Sequence, residues 1–455
     1  MKLPLALALT LSGASLAAAG DYVLHSFKKI QLTDKFWSEG ASFGDFNHDR
    51  VNDIVSGPYW YEGPGFQKRH EYAPTTRKSP AGTAPFKKKS ADGKEEAIEG
   101  FEGALGANNA YADNFFAFTD DFNKDGWTDI LILGFPGDVS AWYENPQGRD
   151  GHWQRHIVLD VTDNESPTFT DITGDGKPEI VCSSKGAYGY AEPDWSAPSR
   201  PWTFHAISPN NKYHKFTHGM GVGDVNGDGR LDLLEKDGWW EQPASLAGDP
   251  VWKHHKHNFG SGGAHMYAYD VNGDGLNDVI TCIAAHGYGL VWNEQVRESG
   301  EISFREHIIL NKQTEKDKAP MPNKYGVVFS QPHAIDLIDM DGDGLKDIVT
   351  GKRFWAHGAH GDPDPNAPAV LYWFKLVRGK DKSIDFVPYQ IDDNSGIGTQ
   401  VLAGHINGDK LPDIVVGNKK GTFVFLHETR KVSKEQWEKA QPKPRPGGQT
   451  AAAAN

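Results

Sequence analysis

The chain has 455 residues, which is enough for two or three ordinary domains or for a single repeat fold. It carries 61 acidic and 47 basic side chains, and the net charge of −14 argues against nucleic acid and anionic membranes as partners. The two cysteines, Cys182 and Cys282, fall in repeats that are not neighbours, so we expect two buried thiols rather than a disulfide.

The first twenty residues are typical of a secretory signal peptide. Lys2 is followed by an apolar run from Leu3 to Leu16 and by small residues up to Gly20. We therefore expect residues 1–19 to be removed and the mature protein to be periplasmic or secreted. Elsewhere in the sequence the apolar runs are too short to cross a bilayer, so we expect no membrane insertion.

Seven copies of a short acidic motif follow along the chain. The clearest copy begins at Asp270, continues through Asn272 and Asp274 to Gly275, and ends at Asp278. Side-chain oxygens at positions 1, 3, 5 and 9 converge on one point, and the glycine after position 5 permits the sharp turn of a Ca²⁺ loop. The motif predicts up to seven structural calcium sites. Their predicted ligands, copy by copy, are Asp45, Asn47, Asp49, Asp53; Asp121, Asn123, Asp125, Asp129; Asp171, Asp175, Glu179; Asp224, Asn226, Asp228, Asp232; Asp270, Asn272, Asp274, Asp278; Asp339, Asp341, Asp343, Asp347; and Asn407, Asp409, Asp413 in a last copy that begins at His405.

An EF-hand loop begins in the same way but ends differently. It needs a glutamate at position 12 and lies between two helices. Position 12 is Thr281 in one strong copy and Thr350 in another, and only Glu235 fits. Pairs such as Val279-Ile280 follow position 9 and are typical of strands. Each loop is therefore expected to join two β-strands, and EF-hands are excluded.

Each acidic loop belongs to a longer unit of four predicted strands. One strand enters the loop and a second leaves it; the third carries aromatics followed by an acid or amide, as in Trp60-Tyr61-Glu62. The fourth has an aromatic with a histidine three residues on, and we expect these histidines to belong to the repeat: His156, His205, His255 and His307. Seven such units predict an all-β protein, a seven-bladed β-propeller over residues 20–430.

The two ends of the predicted propeller complement each other. The seventh unit has only three predicted strands, the last of which ends at about residue 427. Tyr22–Ile30, by contrast, has the pattern of a fourth strand but belongs to no unit of its own. We expect this N-terminal strand to complete the last blade and close the ring, which removes free strand edges. Residues 431–455 are expected to form a short helix and a disordered tail.

The units resemble FG-GAP or VCBS repeats, the calcium-loop blades of integrin α-subunits and of many exported bacterial proteins. Phe43-Gly44 and Gly57-Pro58 come near the motif that names the repeat, and the resemblance covers roughly residues 22–427. It implies the propeller fold and Ca²⁺ but not one activity. Around Thr217-His218 and Gln331-Pro332-His333, the chain is also similar to the propeller part of fungal aldos-2-ulose dehydratase.

One polar residue lies about six positions before each acidic loop, where the first strands of a propeller meet at the mouth of its channel. Polar side chains at a wet channel mouth are one interpretation of this ring. A metal site is the other, because three histidines and a carboxylate suit a divalent transition metal. The ring consists of Glu39, Asn114, Glu165, His218, His265, His333 and Gln400; Asn114 lies seven positions before its loop, and His265 and Gln400 lie five before theirs.

These observations favour an exported carbohydrate-active lyase or dehydratase. His218, His265, His333 and Glu165 would hold the metal. The proton acceptor would be Glu39, Tyr288 or a histidine, and the turn from Lys352-Arg353 to His357 would supply the cations that stabilise an enolate. The alternative is a calcium-stabilised propeller that binds glycans or proteins without catalysis.

Overall fold

A computed structural model describes residues 22–74, 87–89, 95–97, 111–112, 114–313 and 319–445. The predicted signal peptide, residues 1–19, and the end of the predicted tail, after residue 445, lie outside these ranges. Within them, no helix combines the length and apolar character needed to cross a membrane.

The described residues form an all-β protein, as predicted, with one short α-helix. Antiparallel strands follow one another in groups of four, which we number as units 1 to 7. The N-terminal strand is β1 (Tyr22–Thr33), and unit 1 contains β2 (Ser42–Gly44), β3 (Asp53–Ser56), β4 (Tyr59–Tyr61) and β5 (Arg69–Glu71). A separate hairpin follows, of β6 (Lys87–Lys89) and β7 (Glu95–Ala97).

Units 2 to 4 continue the pattern. Unit 2 contains β8 (Phe116–Asp120), β9 (Asp129–Leu133), β10 (Asp138–Glu144) and the first half of β11 (Gln154–Thr170). Unit 3 contains the second half of β11, β12 (Glu179–Ser184), β13 (Ala187–Glu192) and β14 (Thr203–Ala206). Unit 4 contains β15 (Met220–Gly223), β16 (Asp232–Glu235), β17 (Gly238–Glu241) and β18 (Lys253–Lys256).

Units 5 to 7 complete the chain. Unit 5 contains β19 (His265–Tyr269), β20 (Asp278–Cys282), β21 (Leu290–Glu298) and β22 (Glu301–Leu310). Unit 6 contains β23 (Ile335–Ile338), β24 (Asp347–Gly351), β25 (Leu371–Arg378) and β26 (Ile384–Asp392), with a 3₁₀ turn at Gly358–His360. Unit 7 contains β27 (Val401–Gly404), β28 (Asp413–Asn418) and β29 (Gly421–Val432), and helix α1 (Lys434–Ala440) follows it.

The N-terminal strand completes unit 7, as the sequence predicts. β1 pairs with β29 along almost its whole length, from Tyr22 opposite Val432 to Thr33 opposite Thr422. Two histidine side chains connect the paired strands, since His25 Nδ1 lies 2.9 Å from His427 Nε2. The first and last strands of the described residues are therefore held in one sheet.

Neighbouring units are joined at two places by continuous sheets. The 17-residue strand β11 pairs with β10 through its first half and with β12 through its second half. β15 and β19 pair in parallel, with Met220 opposite His265. That approach requires glycine at residue 221, because a Cβ there would lie 1.8 Å from the carbonyl oxygen of Met266. Units 2 and 3, and units 4 and 5, are thus single sheets.

The core lies between units and includes the third-strand aromatics, each of which packs against a fourth-strand histidine in units 1 to 5. The rings of Trp60 and His70 lie 3.8 Å apart and nearly parallel, and those of Trp292 and His307 lie 4.2 Å apart. Burying a large apolar side chain contributes about 1.5–3 kcal/mol. The same histidines pair with third-strand glutamates: His70 with Glu62, His156 with Glu144, His205 with Glu192, His255 with Glu241 and His307 with Glu294.

Candidate functional site

Each acidic loop lies between the first and second strands of its unit, and its ninth residue is fully buried. That carboxylate joins the loop to the third strand. Asp129, for example, accepts N–H groups from Phe122 at 3.0 Å and from Asn145 at 2.7 Å. Burial raises the pKa of Asp129 to about 8 and that of Asp232 to about 7. A cation would favour the ionised form that burial disfavours.

The earlier loop positions form a compact turn around the carboxylate of position 1. In the second loop Asp121 accepts the N–H groups of Asp125 at 3.0 Å and Gly126 at 2.9 Å, and Asn123 Oδ1 accepts the N–H of Asp125. The turn keeps side-chain oxygens on one side, as a hard cation requires. In two loops one ligand atom from each of three acids lies within 4.8 Å of the others: Asp171, Asp175 and Glu179, and Asp339, Asp341 and Asp347.

A second cluster joins Glu165, His218, His286 and His333, whose ligand atoms all lie within 4.8 Å of one another. Glu165 Oε2 lies 3.2 Å from His333 Nε2 and 3.5 Å from His218 Nε2, and the Nε2 atoms of His218 and His286 are 3.1 Å apart. A tetrahedral ion with bonds of 2.0–2.1 Å to nitrogen separates its ligands by about 3.3 Å. These four side chains therefore fit a divalent transition metal.

Three backbone hydrogen bonds bring the cluster together. Glu165 lies on β11 beside the segment that leads to His218, because its N–H donates to Thr217 O at 2.8 Å. Gln331 joins the other two histidines: its N–H donates to Gly287 O at 2.7 Å, and its carbonyl accepts the N–H of His333 at 2.8 Å. Gln331 is buried with φ +59°, a left-handed conformation that is rare outside glycine and is found at functional sites.

Arg353 is buried beneath the cluster, only 1% exposed, between two carboxylates. Its Nη2 lies 3.2 Å from Glu39 Oε1, and its Nη1 lies 3.4 Å from Glu165 Oε2. Lys419 Nζ lies 3.9 Å from Glu39 Oε1 and donates to Trp355 O at 2.6 Å. Arg353 and Glu39 are thus paired with each other, and Arg353 orients Glu165 instead of facing solvent.

The electrostatic environment favours the metal-binding protonation states of Glu165, His286 and His333. Burial would raise the pKa of Glu165, but its hydrogen bonds with His218 and His333 outweigh burial and hold that pKa well below its usual value. Burial, followed by the charge of Arg353, lowers the pKa of His333 to about 3. Burial also lowers the pKa of His286. An ionised carboxylate and neutral imidazoles are the metal-binding forms.

Residues 354–364, which lie in the connection between β24 and β25, cover one side of the cluster and are here called the strap. His357 Nδ1 lies 2.9 Å from Asp362 Oδ1, and the same oxygen lies 3.5 Å from His286 Nδ1. Asp364 hydrogen-bonds with Tyr288, and Pro363 O accepts from Ser330 Oγ at 2.8 Å. The strap thus brings a buried carboxylate to the outer nitrogen of His286.

The structure brings some predicted site residues together and separates others. Glu39, Glu165, His218 and His333, which lie six positions before their loops, meet around Arg353 and His286. The three residues at five or seven positions do not join the cluster. His265 Nε2 faces Pro167 O at 3.2 Å, Gln400 bonds with the backbone of Ala117, and the carbonyl of buried Asn114 accepts the N–H of Glu39 at 3.0 Å.

Two further predicted residues lie beside the cluster but are already bonded. Lys352 Nζ donates to Ser330 Oγ at 2.6 Å, and burial lowers its pKa to about 8. Tyr288 is buried and bonded to Asp364. His357, by contrast, has a side chain that is 41% exposed. His286 and Asp362 are not among the predicted ligands; the signal for His286 is its place in a turn between second and third strands, the position that Lys352 and Arg353 occupy in unit 6.

Comparison with known proteins finds a match for one segment of the chain. The sequence profile of the FG-GAP-like repeat matches residues 121–182, from the second acidic loop to β12. None of the curated proteins compared with the chain is significantly similar to it. Among solved structures, the chain is similar to an Agrocybe aegerita lectin that recognises non-reducing terminal N-acetylglucosamine, with 14% identity, coverage of 87% of this chain and 86% of the lectin, and a TM-score of 0.41.

Two further solved structures are similar in the same range. One is an auxiliary nutrient binding protein from Bacteroides ovatus, with 10% identity, 70% coverage of each chain and a TM-score of 0.41. The other is the rhamnogalacturonan lyase YesW, with 11% identity, coverage of 89% of this chain and 72% of the lyase, and a TM-score of 0.38. Residues 121–182, which include the loop from Asp121 to Asp129, thus match an FG-GAP-like repeat.

Proposed function

We propose that this chain is an exported, calcium-stabilised seven-bladed β-propeller with a metal-dependent lyase or dehydratase site for carbohydrates. The seven four-strand units would be the blades, and the acidic loops would hold the calcium ions. The convergence of His218, His286 and His333 on the carboxylate of Glu165 is the observation that supports this function most strongly. A non-catalytic scaffold has no need to gather one buried and two partly buried imidazoles around a buried carboxylate, since each buried polar group costs free energy.

A divalent ion held by these four residues would polarise a carbonyl or carboxylate oxygen of the sugar. The protein would then move one proton. His357 Nδ1 bonds with Asp362, which leaves Nε2 of the half-exposed ring as an acceptor. In the proposed elimination His357 takes the proton from the carbon beside the carbonyl, and the C–O bond on the next carbon breaks as a C=C bond forms. His357 returns its proton to the departing oxygen, so the step is balanced.

Asp362 and Arg353 have positioning roles in this proposal. Asp362 lies beside Nδ1 of His286 and would keep the proton on that nitrogen, which directs Nε2 toward the metal. Arg353 holds the carboxylates of Glu165 and Glu39 apart at the base of the site. The predicted enolate contact from Arg353 is therefore replaced by an indirect role.

The second candidate is a glycan- or protein-binding propeller without catalysis. It is favoured by one observation: Glu39, Tyr288 and Lys352, all predicted to take part in chemistry, are buried and already bonded to protein groups. Only His357 then remains as an accessible base.

Two measurements on the purified protein separate these candidates. Elemental analysis should find zinc, manganese or iron in addition to calcium. Incubation with ketosugars or acidic polysaccharides should produce new ultraviolet absorbance from an unsaturated product, which a strong chelator abolishes and added transition metal restores. Saturable glycan binding without a transition metal and without a new chromophore would establish the second candidate instead.

A further inference from the structure

One position of the third strand differs sharply among the units. It lies opposite the ninth loop residue, as Glu62 does opposite Asp53 in unit 1. In units 1 to 5 the residue is always glutamate, and in unit 7 it is Leu426. In unit 6 it is Lys375, because Ile348 pairs with Phe374 and Asp347 therefore faces the next residue. The glutamates of units 1 to 5 are Glu62, Glu144, Glu192, Glu241 and Glu294.

The fourth-strand residue that contacts this third-strand position also differs in unit 6. In units 1 to 5 a histidine stacks on the third-strand aromatic ring and pairs with the glutamate. In unit 6 Tyr389 stacks on Trp373 instead, with ring centroids 4.8 Å apart. Unit 6 has therefore exchanged both members of the glutamate–histidine pair, and its third-strand side chain carries a positive charge.

The ammonium group of Lys375 lies in the sixth acidic loop. Its Nζ is 2.9 Å from Asp343 Oδ2 and is also bonded to Asp341 Oδ2. The lysine side chain is only 22% exposed. The next residue, Leu376, donates its N–H to Asp347 Oδ1 at 2.8 Å, which fixes the strand directly beside the loop. Positions 3 and 5 of this loop are thus neutralised by the protein itself.

We propose that the sixth loop contains a built-in cation, the Lys375 ammonium, and does not bind calcium as the second loop does. The inference rests on the proposed calcium sites. Calcium could enter only by displacing the lysine, which would lose two ion pairs and leave its charge beside a divalent ion. In the described part of the second loop's surroundings, no lysine or arginine forms an ion pair with Asp121, Asp125 or Asp129.

Two position-5 variants test the proposal through calcium content, which needs no knowledge of activity. Asp125→Asn should lower the number of tightly bound calcium ions per chain by one, whereas Asp343→Asn should leave the number unchanged. Lys375→Met, which keeps the length of the side chain without its charge, should raise it by one. The count is measured by elemental analysis after dialysis at low free calcium, with far-ultraviolet circular dichroism as the check on folding.

A loss of one calcium ion in Asp343→Asn would overturn the inference while leaving the calcium proposal intact. So would an unchanged count in a folded Lys375→Met variant. If Lys375→Met fails to fold, the comparison of Asp343→Asn with Asp125→Asn still decides the question. Absence of calcium from the wild-type protein would overturn this inference and the calcium proposal together.

Discussion

The Nε2 atoms of His218 and His286 lie 3.1 Å apart, although the two residues come from different units. Two neutral imidazoles can share only one proton along that line, and Glu165 lies beside them as a third group with lone pairs. A cation would satisfy all three at once. The space between these two nitrogens and Glu165 is therefore where a bound cation is proposed, and the variants below test it.

Replacing His286 by alanine should remove the transition metal while calcium content and folding stay unchanged. The reason is that His286 would supply one of the four ligand atoms of the proposed metal, whereas the acidic loops lie at the other end of the first strands and should respond independently. Elemental analysis of purified variants measures the effect. His265→Ala is the matched control, because His265 is also partly buried but faces Pro167 O, so this variant should keep the metal. Equal metal content in both variants would contradict the assignment.

Asp362→Asn should weaken transition-metal binding by roughly 10- to 100-fold, the usual cost of losing a group that orients a ligand histidine. The amide keeps the size of the side chain but not its charge beside His286 Nδ1. Competition with a chromophoric chelator measures the affinity. His357→Gln, which changes the other partner of Asp362, should leave that affinity nearly unchanged while lowering any lyase activity. A metal affinity in Asp362→Asn equal to that of wild type would eliminate the positioning role.

Chelation of calcium should lower Tm more at about pH 8 than at about pH 5.5. Burial raises the pKa of Asp129 to about 8 and of Asp278 to about 7, above the unfolded value near 4. Without metal, the folded state then holds these protons more tightly, so stability is lost as pH rises from about 4 through 8. Each unit of pKa corresponds to about 1.4 kcal/mol. Bound calcium would take the place of these protons, so it should raise Tm most at high pH, where the carboxylates have lost their protons. A decrease in Tm on chelation that becomes smaller as pH rises would refute the loop assignment.

His427→Phe should make the protein less sensitive to acid. Burial, and then the neighbouring His25, lower the pKa of His427 to about 4. The folded state therefore favours the neutral ring, and its contribution, on the order of 3 kcal/mol, is present above about pH 6.5 and lost as pH falls toward 4. Phenylalanine keeps the stacking on Phe27 without the titration. Denaturant unfolding at several pH values measures the difference; parallel curves for the two proteins would show that His427 does not contribute.

Deleting residues 22–33 should cause aggregation or a much lower Tm. The deletion removes β1 and exposes the hydrogen-bonding edge of β29 along its length. Size-exclusion chromatography and a thermal melt are the measurements, and a chain shortened only by residues 446–455 is the control. A monomeric, stable protein without β1 would show that the N-terminal strand does not hold unit 7.

The acidic loops were predictable because their chemistry is local: nine consecutive residues contain both the oxygens and the turn. Part of the site was predictable for a second local reason, the constant distance between a residue and the acidic loop that follows it. His218 and His333 lie six positions before their loops, just ahead of β15 and β23, whereas His265 lies five positions before its loop, in β19, and faces Pro167 O. A shift of one residue moves a strand side chain to the opposite face.

The rest of the site depends on contacts between distant segments. Arg353 meets Glu39 across 314 residues of sequence, and His286 meets His218 across 68. No spacing rule links a turn of one unit to the first strand of another, so the sequence places His286 in a turn without indicating what it faces. The strap residue Asp362 belongs to an insertion without a counterpart in the other units, and repetition could not reveal it.

The long strand β11 has a consequence for how this protein can be taken apart. One continuous backbone is at once the last strand of unit 2 and the first strand of unit 3, and β15 and β19 join units 4 and 5 in a similar way. A cut between the units of either pair would break hydrogen-bonded sheet instead of a loop. A pair of units that share a sheet is therefore the natural module to transplant or duplicate. An engineered protein that gains or loses part of either shared sheet should gain or lose two units together.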